Sequence, residues 1–433
     1  MSDRDTLLST LLNRRPSPLG EMIPEPFVVP QYDGYSVANA TATLGAILGV
    51  PLGTMPPLDT AYWHSLLADG VDRIIFLIVD ALGWQRMEQA LAEDTQTAAW
   101  LDEQGALVRP MTALFPSTTT ATTLSLWTGV PPAQHGILGY LQWLREFGIV
   151  ANMIGLKPWL GAFDGTLIDA GLDPANAIPV RNIGHTLLAF GVETHILIGA
   201  HILNSGLSQI TFNGLPKERM HGYASLGDCV SLVREIAEKT AGHRALIGVY
   251  WPDFDTLSHI HGPAPRHWDA EWAMFAYMLR TQLVEALSPS ARRRTLLIIT
   301  ADHGHNTVTP DKVINVNDHP DLAECLRIPP TGDSRAPYLF VREGMKAKAR
   351  AYIESAMGHA FHVLDAQEAL QAGLWGPGTP MVEVPHRMGD LVLLAYDGYA
   401  LEYRQREFFL VGRHGSLWPD EAIVPWMALR LDA

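Results

Sequence analysis

Short, unbroken runs of apolar residues recur along this chain, and they limit its possible folds more than any other feature. The clearest runs are Arg73–Val79, Ala245–Trp251 and Thr295–Thr300. Their short length and their β-branched residues favour strands over helices. Because the apolar residues are consecutive rather than alternating, both faces of these strands should be buried. Further runs of the same kind are Thr194–Ile198, Tyr338–Val341 and Leu391–Ala395.

Helical patterns lie between the predicted strands, at Gln85–Leu101, Asp228–Ala241 and His267–Leu287. Strands that alternate with helices are typical of a mostly parallel sheet covered on both sides. We therefore predict an α/β fold with a large, mostly parallel central sheet flanked by helices on both faces, and with a smaller inserted subdomain.

The chain divides into four segments on its composition and on these patterns. Residues 1–60 are rich in Pro and Gly and are predicted to form an arm on the core, with one helical piece at Ser36–Leu48. Residues 61–304 should form the first part of the α/β core. Residues 305–388 are interpreted as an inserted or elaborating subdomain, and residues 389–433 as the completion of the core.

Composition excludes several classes of protein. The formal net charge is −15, which argues against binding a nucleic-acid polymer through a broad basic face. Cys229 and Cys325 form no zinc or redox motif, and two cysteines so far apart do not suggest a disulfide framework. The start of the chain lacks the apolar region of a signal peptide, and no run is long enough to cross a membrane. We therefore expect a cytoplasmic protein with no membrane partner.

Carboxylates follow three of the predicted strands. Asp80 comes directly after the first, Asp302 with His303 after another, and Asp253 and Asp255 after the third. In an open α/β sheet, ligands bind beyond the carboxyl ends of the strands. Any one Asp could simply cap a helix or a turn. Three sets of acids at one edge repel each other unless they are protonated or bind cations, so together they predict a metal site.

Histidines supply further nitrogen ligands near these acids. Asp255 and His259 are four residues apart, which would place both side chains on one face of a helix, able to hold one ion. His303 adjoins Asp302, where a tight turn could direct both side chains inward. His414 stands in a loop pattern, and spacing alone does not select it as a ligand.

A threonine-rich stretch runs from Phe115 to Gly129. Pro116 favours an entry turn, Ser117 is a candidate N-cap, and the helix should end at Gly129. A hydroxyl in the first helical turn lies beside free backbone N–H groups that attract anions, which suits a nucleophile for a phosphoester. The alternative is a helix that merely starts with polar residues, and several hydroxyls compete for the role.

Five motifs together resemble the type I phosphodiesterase/nucleotide pyrophosphatase family of the alkaline phosphatase superfamily. They are, in chain order, LIVDALGW, FPSTTTATTLSLWTGVPPAQHGI, YWPDFDTLSHIHGP, TADHGH and RHGS. The resemblance covers residues 75–415 and implies an alkaline-phosphatase-like fold.

The resemblance implies roles for individual residues. Asp80, Asp302 and His303 would bind one metal, which also contacts the nucleophile, and Asp255, His259 and His414 would bind a second. In the family the nucleophile lies ten residues before the Gly of a TG pair, which here selects Thr119. Relatives often carry an Asn five residues after the histidine of an HG turn, here His135. This chain has Tyr140 at that position, which we retain as a substrate-binding residue.

The function implied is that of a two-metal hydrolase cleaving a phosphodiester or pyrophosphate bond of a small-molecule phosphate ester through a phospho-threonine intermediate. A ligand set of nitrogen and oxygen without sulfur suits Zn²⁺, with Mn²⁺ as the alternative. The competing hypotheses are a phosphomonoesterase or phosphonate hydrolase of the same superfamily, and a non-catalytic metal-binding protein that kept the fold. Trp127, Tyr140 and Trp143 are candidates to stack against the organic group, although aromatic residues at such spacing more often belong to a core.

Overall fold

The computed structural model describes residues 3–404 and 408–432, and its strands form two large sheets and two short pairs. The strands are β1 (Arg73–Val79), β2 (Leu107–Thr112), β3 (Leu141–Leu144), β4 (Ile149–Asn152), β5 (Lys157–Pro158), β6 (Glu193–Gly199), β7 (Met220–Tyr223), β8 (Ala245–Trp251), β9 (Thr295–Thr300), β10 (Asn306–Thr307), β11 (Val313–Asn315), β12 (Thr331–Asp333), β13 (Ala336–Leu339), β14 (Phe361–Asp365), β15 (Leu391–Ala395), β16 (Ala400–Glu402), β17 (Gly412–Arg413) and β18 (Ile423–Arg430).

Three α-helices of the described residues precede β1, and the others lie between the strands. They are α1 (Asp3–Asn13), α2 (Leu19–Met22), α3 (Ala40–Leu48), α4 (Trp84–Glu93), α5 (Thr95–Glu103), α6 (Thr119–Thr128), α7 (Pro132–His135), α8 (Thr166–Asp169), α9 (Ile183–Ala189), α10 (Gly206–Thr211), α11 (Leu226–Lys239), α12 (Asp253–His261), α13 (Pro265–Tyr277), α14 (Pro289–Arg292), α15 (Pro320–Cys325), α16 (Lys346–Tyr352), α17 (Ala366–Gln371), α18 (Val384–Arg387) and α19 (Pro419–Ala422).

The central sheet has the order β2-β18-β9-β1-β8-β6-β7. Strands β9, β1, β8, β6 and β7 pair in parallel, and β18 pairs antiparallel with both β9 and β2. The three innermost predicted strands, β1, β8 and β9, have the bounds expected from their apolar runs. Every residue of β1 and β9 is buried, as consecutive apolar residues require.

Helices cover both faces of this sheet, which confirms the predicted fold class. On one face Phe76 contacts Trp127 of α6 edge-on, with ring centroids 6.5 Å apart. A Cβ atom on Gly248 of β8 would come within 2.1 Å of the same indole, so this glycine lets α6 approach the sheet. On the other face, Leu77 and Val249 pack with Val233 of α11 and with α13.

The second sheet is antiparallel throughout and has the order β14-β15-β13-β12-β3-β4-β5. Along β15, Val392 and Leu394 face one hydrophobic cluster and Leu391 and Leu393 face another, so both sides of the sheet are covered. Residues 305–388 supply β12, β13 and β14, and the sheet also takes strands from 141–158 and 391–395. The division into four segments stays a prediction.

The N-terminal segment contacts both sheets. The backbone N–H of Val28 donates to the carbonyl of Leu417, and that of Gln31 donates to Thr112 Oγ1 at the end of β2. Phe27 is buried in the cluster that covers one face of the second sheet. Among the described residues, no helix is long and apolar enough to span a membrane. The cytoplasmic location stays a prediction.

Two of the predicted helices are divided or change in type along their length. The predicted Gln85–Leu101 helix is broken into α4 and α5 because Asp94 accepts a hydrogen bond from the Thr97 N–H at 3.0 Å and caps the second one. The predicted His267–Leu287 helix starts earlier, at Pro265, and changes at Met278–Val284 into a π-helix.

Candidate active site

Three neighbouring strands deliver acidic residues to one edge of the central sheet. Asp80 follows β1, and Asp302 and His303 follow β9. After β8 the chain enters α12, which carries Asp255 and His259 one turn apart. Because β9, β1 and β8 are adjacent and parallel, their carboxyl ends meet at the same edge. The sheet therefore brings together groups that are more than two hundred residues apart in the chain.

The first group consists of Asp80, Asp302 and His303, all of which are buried. His303 Nε2 lies 3.4 Å from Asp80 Oδ1 and 3.6 Å from Asp302 Oδ2. The other oxygen of Asp302 accepts the backbone N–H groups of Ala81 at 3.2 Å and His303 at 3.0 Å. The backbone therefore fixes Asp302 with one oxygen turned towards Asp80.

Negative charge in the first group is not balanced by hydrogen bonds. Asp80 Oδ1 and Asp302 Oδ2 are buried without a hydrogen-bond partner among the described residues, although His303 Nε2 approaches both. Burial and the neighbouring charges of Asp302 and Asp255 raise the pKa of Asp80 well above its usual range. Tyr250 donates to the second oxygen of Asp80 and partly opposes this rise. Orphaned carboxylate oxygens that face each other fit a bound cation.

The second group consists of Asp255, His259 and His414. Asp255 Oδ1 lies 3.3 Å from His259 Nε2 and 3.9 Å from His414 Nε2. The donor atoms of these residues and of His305 are close enough together to hold one metal ion, as are those of Asp80, Asp255 and His303. Asp255 thus lies between the two groups. Burial alone would raise its pKa, but the charge of His259 and a hydrogen bond from His305 outweigh burial and hold the pKa below the usual range.

Backbone carbonyls orient the three predicted histidine ligands in the same way. Nδ1 of His303 faces the carbonyl of Gly304 at 3.1 Å, Nδ1 of His259 that of Gly412 at 2.8 Å, and Nδ1 of His414 that of Ser117 at 2.9 Å. A carbonyl only accepts, so each Nδ1 carries the proton and donates it. The lone pair on each Nε2 is then directed at the acids and is available to a metal.

His305 is a member of this site that the sequence analysis missed. It is buried, and its Nε2 lies 2.8 Å from Asp255 Oδ1. Its Nδ1 has no hydrogen-bond partner among the described residues, unlike Nδ1 of the other three histidines. Burial lowers the pKa of His305 to about 4, so its ring is neutral at neutral pH. A neutral ring with its proton on Nε2 donates to Asp255 and leaves no buried N–H unpaired. The motif TADHGH contains His305, but spacing could not show where its ring points.

Thr119 is the first residue of α6 and lies against the first group. Its Oγ1 is 3.2 Å from His303 Nε2 and 3.5 Å from Asp80 Oδ2. The N-cap of α6 is Thr118 rather than Ser117, so that prediction was wrong. Ser117 Oγ instead donates to the carbonyl of Ser416 at 2.6 Å, which ties the helix entrance to the loop of His414. No side chain caps α6, so its first N–H groups remain available to an anion.

A cleft of about 660 Å³ opens over Thr119, Asp255, His259 and His414. Its wall includes Tyr140, whose hydroxyl accepts a hydrogen bond from Asn152 Nδ2 at 2.7 Å. The two carboxylate oxygens of Asp333 accept from Thr118 Oγ1 at 3.2 Å and from the Tyr140 N–H at 3.3 Å. Asp333 therefore links the wall of the cleft to the start of α6.

Two aromatic residues that were candidates for stacking lie outside this cleft. Trp127 is buried against Phe76 and Phe212 in the central core. Trp143 packs against the hydrophobic cluster of the second sheet. The alternative interpretation, that these side chains belong to a core, is correct. The aromatic residues that do line the cleft, besides Tyr140, are Trp159, Tyr403 and Phe408.

Solved structures of other proteins share this fold. An inactive threonine-to-alanine variant of murine ectonucleotide pyrophosphatase/phosphodiesterase 5, in complex with AMP, is 17% identical, with a TM-score of 0.58 over 82% of this chain and 87% of that chain. Phosphonoacetate hydrolase from Sinorhizobium meliloti, in complex with phosphonoformate, is 18% identical, with a TM-score of 0.59 over 83% of this chain and 89% of that chain. The human ectonucleotide pyrophosphatase/phosphodiesterase 5 is 16% identical, with a TM-score of 0.57 over 82% and 87%.

At these identities the structural similarity shows the fold, and the family follows from the sequence itself. No curated protein matches the chain. The family model described as type I phosphodiesterase/nucleotide pyrophosphatase matches residues 74–417, a span that contains both groups of acids and histidines and Thr119. The chain belongs to the type I phosphodiesterase/nucleotide pyrophosphatase family of hydrolases.

Proposed function

We propose that this protein hydrolyses a phosphodiester or pyrophosphate bond of a small molecule with Thr119 as the nucleophile. The observation that carries the proposal is the position of Thr119 Oγ1, 3.2 Å from His303 Nε2 and 3.5 Å from Asp80 Oδ2, at an uncapped helix N-terminus. A hydroxyl so placed meets a phosphoryl group whose oxygens bind the free N–H groups of α6.

The two groups of acids and histidines fit divalent cations. Asp80, Asp302 and His303 would hold one, beside Thr119, and Asp255, His259 and His414 would hold the other. Nitrogen and oxygen donors without sulfur favour Zn²⁺, with Mn²⁺ as the alternative. When bound, such cations supply the positive charge that favours ionised Thr119 and neutralises the charge developing on the entering and departing oxygens.

The residues of the chain then carry out a two-step displacement. Thr119 Oγ forms a bond to phosphorus and gives up its proton to solvent, while the bond from phosphorus to the leaving oxygen breaks and that oxygen takes up a proton from solvent. The leaving group departs as an alcohol, or as a phosphate when the substrate is a pyrophosphate. Water then attacks the phospho-threonine, which releases the phosphoryl product and restores the hydroxyl of Thr119.

Tyr140 is proposed to hold a phosphoryl oxygen during these steps. Asn152 Oδ1 accepts from the N–H groups of Ile154 at 2.9 Å and Gly155 at 3.1 Å, which fixes its amide so that Nδ2 donates to Tyr140. Because the Tyr140 oxygen already accepts this bond, its own proton is free to be donated to the substrate in the cleft. Tyr140→Phe should therefore raise KM with little change in the amount of metal bound.

The structural neighbours support a small molecule as the substrate. One is described as bound to AMP and as inactive after a threonine-to-alanine change, and another as a phosphonoacetate hydrolase. Because of the second description, phosphonate hydrolysis is retained as an alternative function for this chain. A phosphomonoesterase of the same superfamily is the other enzymatic alternative. A non-catalytic protein that only binds metal would keep both ion sites without turnover.

The test compares wild type and Thr119→Ala, loaded with Zn²⁺ or Mn²⁺, on bis-p-nitrophenyl phosphate, p-nitrophenyl phosphate and phosphonoacetate. We expect the wild type to turn over the diester fastest, and the variant to lose about 10³-fold or more in kcat while keeping its metal content. Thr123→Ala is the matched control, since Thr123 lies in the same helix outside the cleft. Full activity of Thr119→Ala would reject the nucleophile, and an inactive wild type with two metals bound would favour the non-catalytic alternative.

A further inference from the structure

Each residue of the first group has one side-chain atom fixed by a hydrogen bond and another turned towards its neighbours. In Asp302 the fixed atom is Oδ1, which accepts two backbone N–H groups, and in His303 it is Nδ1, which donates to the carbonyl of Gly304. In Asp80 it is Oδ2, which accepts from the hydroxyl of Tyr250. Among the described residues, Asp80 is thus the member of the group that depends on a side chain, rather than on the backbone, for this bond.

The pairing of two neighbouring strands brings the Tyr250 hydroxyl to Asp80. Strands β1 and β8 pair in parallel with Ile78 opposite Tyr250, and the Asp80 N–H donates to the carbonyl of Trp251 at 2.8 Å. Since alternate residues of a strand share a face, the side chains of Ile78, Asp80 and Tyr250 lie on the same face of the sheet. The phenol of Tyr250 therefore reaches Asp80 from the position before it on that face, and a one-residue slip of β8 would remove the contact.

Tyr250 is suited to act as the donor in this bond. A phenol keeps its proton at neutral pH, so the hydroxyl donates and the carboxylate accepts. The backbone carbonyl of Tyr250 in turn accepts the hydroxyl of Tyr223 at 2.6 Å, which ties the end of β8 to the end of β7. The hydroxyl of Tyr250 is therefore held by the strand pairing and by a second tyrosine.

The bond leaves the two oxygens of Asp80 in different surroundings. Oδ2 accepts from Tyr250 and lies 3.5 Å from Thr119 Oγ1. Oδ1 lies 3.4 Å from His303 Nε2 and has no hydrogen-bond partner among the described residues. The last torsion of an Asp side chain has broad, roughly two-fold preferences, so the rotamer alone does not select this orientation. The Tyr250 hydroxyl selects it and leaves Oδ1 available to a cation.

We propose that Tyr250 is a positioning residue for the first cation, because its hydroxyl holds the Asp80 carboxylate so that Oδ1 is presented to the ion. The inference rests on the proposed function, since it concerns the cation that the first group would hold beside Thr119. The alternative is that the hydroxyl only satisfies its own need for an acceptor, since a buried phenol without one costs stability. In that case the bond would matter to folding and not to the ion.

Two backgrounds separate the first group from the second. His259→Gln removes a proposed ligand of the second group, and Asp80→Asn removes one of the first. Tyr250→Phe would be added to each, and the affinity for Zn²⁺ measured by titration against a chromophoric chelator. In the His259→Gln background we expect the affinity to fall about 10–100-fold, as when a residue that orients a ligand is lost. In the Asp80→Asn background, where Zn²⁺ binds only at the second group, we expect no change.

Tyr62→Phe is the matched control. Tyr62 is also buried, and its hydroxyl donates to the carbonyl of Pro110 at 2.6 Å, in a strand three places from β1 in the central sheet. Its loss removes one hydrogen bond from a buried phenol without touching Asp80. It should lower the melting temperature and leave the Zn²⁺ affinity unchanged in both backgrounds. Thermal melting of the Tyr250→Phe variants shows whether they keep the fold.

The outcomes for Tyr250 and for the reaction are separate, because the titration needs no turnover. An unchanged or higher affinity of Tyr250→Phe in the His259→Gln background would overturn the positioning role, even if the wild type hydrolyses diesters. Equal losses in both backgrounds would overturn it too, since they would show a general loosening of the fold. If the affinity falls in the His259→Gln background alone while the wild type hydrolyses no ester, the role of Tyr250 stands and the catalytic proposal is wrong.

Discussion

The chain buries carboxylates in two regions that differ in how their charge is balanced. Glu421 and Arg335 are fully buried, and both Arg335 Nε and Nη2 donate to the Glu421 carboxylate, at 3.0 and 2.7 Å from Oε1. The other Glu421 oxygen accepts the Ser416 N–H at 3.1 Å. In the first group of the site, by contrast, Asp80 and Asp302 each keep one buried oxygen without a hydrogen-bond partner among the described residues.

This difference assigns different roles to the two regions. Arg335 lies between β12 and β13 of the second sheet, and Glu421 lies in α19, directly before β18 of the central sheet. Their ion pair therefore joins the two sheets and anchors the loop of His414. The charge of Asp80 and Asp302 finds no such cation among the described residues, where the only basic side chain within 4 Å of either carboxylate is that of His303. Unbalanced buried charge costs stability, and a site keeps it where an ion from outside completes the structure.

The largest effect is expected from breaking the balanced pair. Glu421→Gln leaves the guanidinium of Arg335 buried without a counter-charge, which should lower the free energy of unfolding by about 3–5 kcal/mol. Urea unfolding in the presence of chelator measures it. Adding Arg335→Met removes the stranded charge and should recover part of the loss. Glu383→Gln, in the exposed pair with Arg145, is the control and should cost less than about 1 kcal/mol. An equally small cost for Glu421→Gln would contradict the anchoring role.

Asp255 is intermediate between the paired carboxylate of Glu421 and the partly unpaired carboxylates of Asp80 and Asp302, because His305 fixes one of its oxygens. Removing the donor in His305→Ala should weaken Zn²⁺ binding about 10–100-fold, as expected when a residue that orients a ligand is lost. His305→Gln can place an amide N–H near the same oxygen and should recover much of the affinity. Titration against a chromophoric chelator measures both.

The matched comparison is His259→Gln, which removes a proposed ligand outright. If His305 itself bound the metal, His305→Gln would lose as much affinity as His259→Gln. An unchanged affinity in His305→Ala would show that the bond to Asp255 has no role in metal binding.

The parts of the fold that sequence could predict are those decided by local composition. Strands β1, β8 and β9 have their predicted bounds because a strand buried on both faces is apolar at nearly every position between its ends. Asp80 and Asp302 could be placed at one edge because they follow two of these strands. The break between α4 and α5 was missed because Asp94 can equally sit inside a helix or cap one, and its hydrogen bond to Thr97 decides.

The parts that could not be predicted depend on side-chain direction and on distant contacts. His303 and His305 are two residues apart, yet only the fold shows that one ring lies beside Thr119 and the other donates to Asp255. The bond from Asn152 to Tyr140 depends on the pairing of β3 and β4. The contact between Trp159 and Tyr403 joins segments more than two hundred residues apart, and no spacing rule connects them.

The smallest expected effect is a gain in stability, whereas Glu421→Gln should lose stability. Asp80→Asn removes unbalanced charge, so in the presence of chelator it should raise the free energy of unfolding by about 1–2 kcal/mol, while abolishing metal binding at the first group. The pKa of Asp80 is raised in the folded state, because of burial and the charges of Asp302 and Asp255. Between its unfolded pKa and this raised value, the folded protein therefore binds more protons than the unfolded chain, and wild-type stability falls as pH rises.

The fall of wild-type stability with rising pH is the most direct test of the difference between the two regions. The advantage of Asp80→Asn over chelated wild type should be greatest in alkaline buffer, and it should vanish as the pH falls towards about 3.9, where the carboxyl group is protonated in both states. Thermal unfolding at several pH values measures it. Saturating Zn²⁺ should reverse the order, because only the wild type gains the stabilisation of an ion at the first group. If Asp80→Asn were instead less stable than chelated wild type at every pH, His303 would already balance the charge of Asp80, and the two regions would not differ.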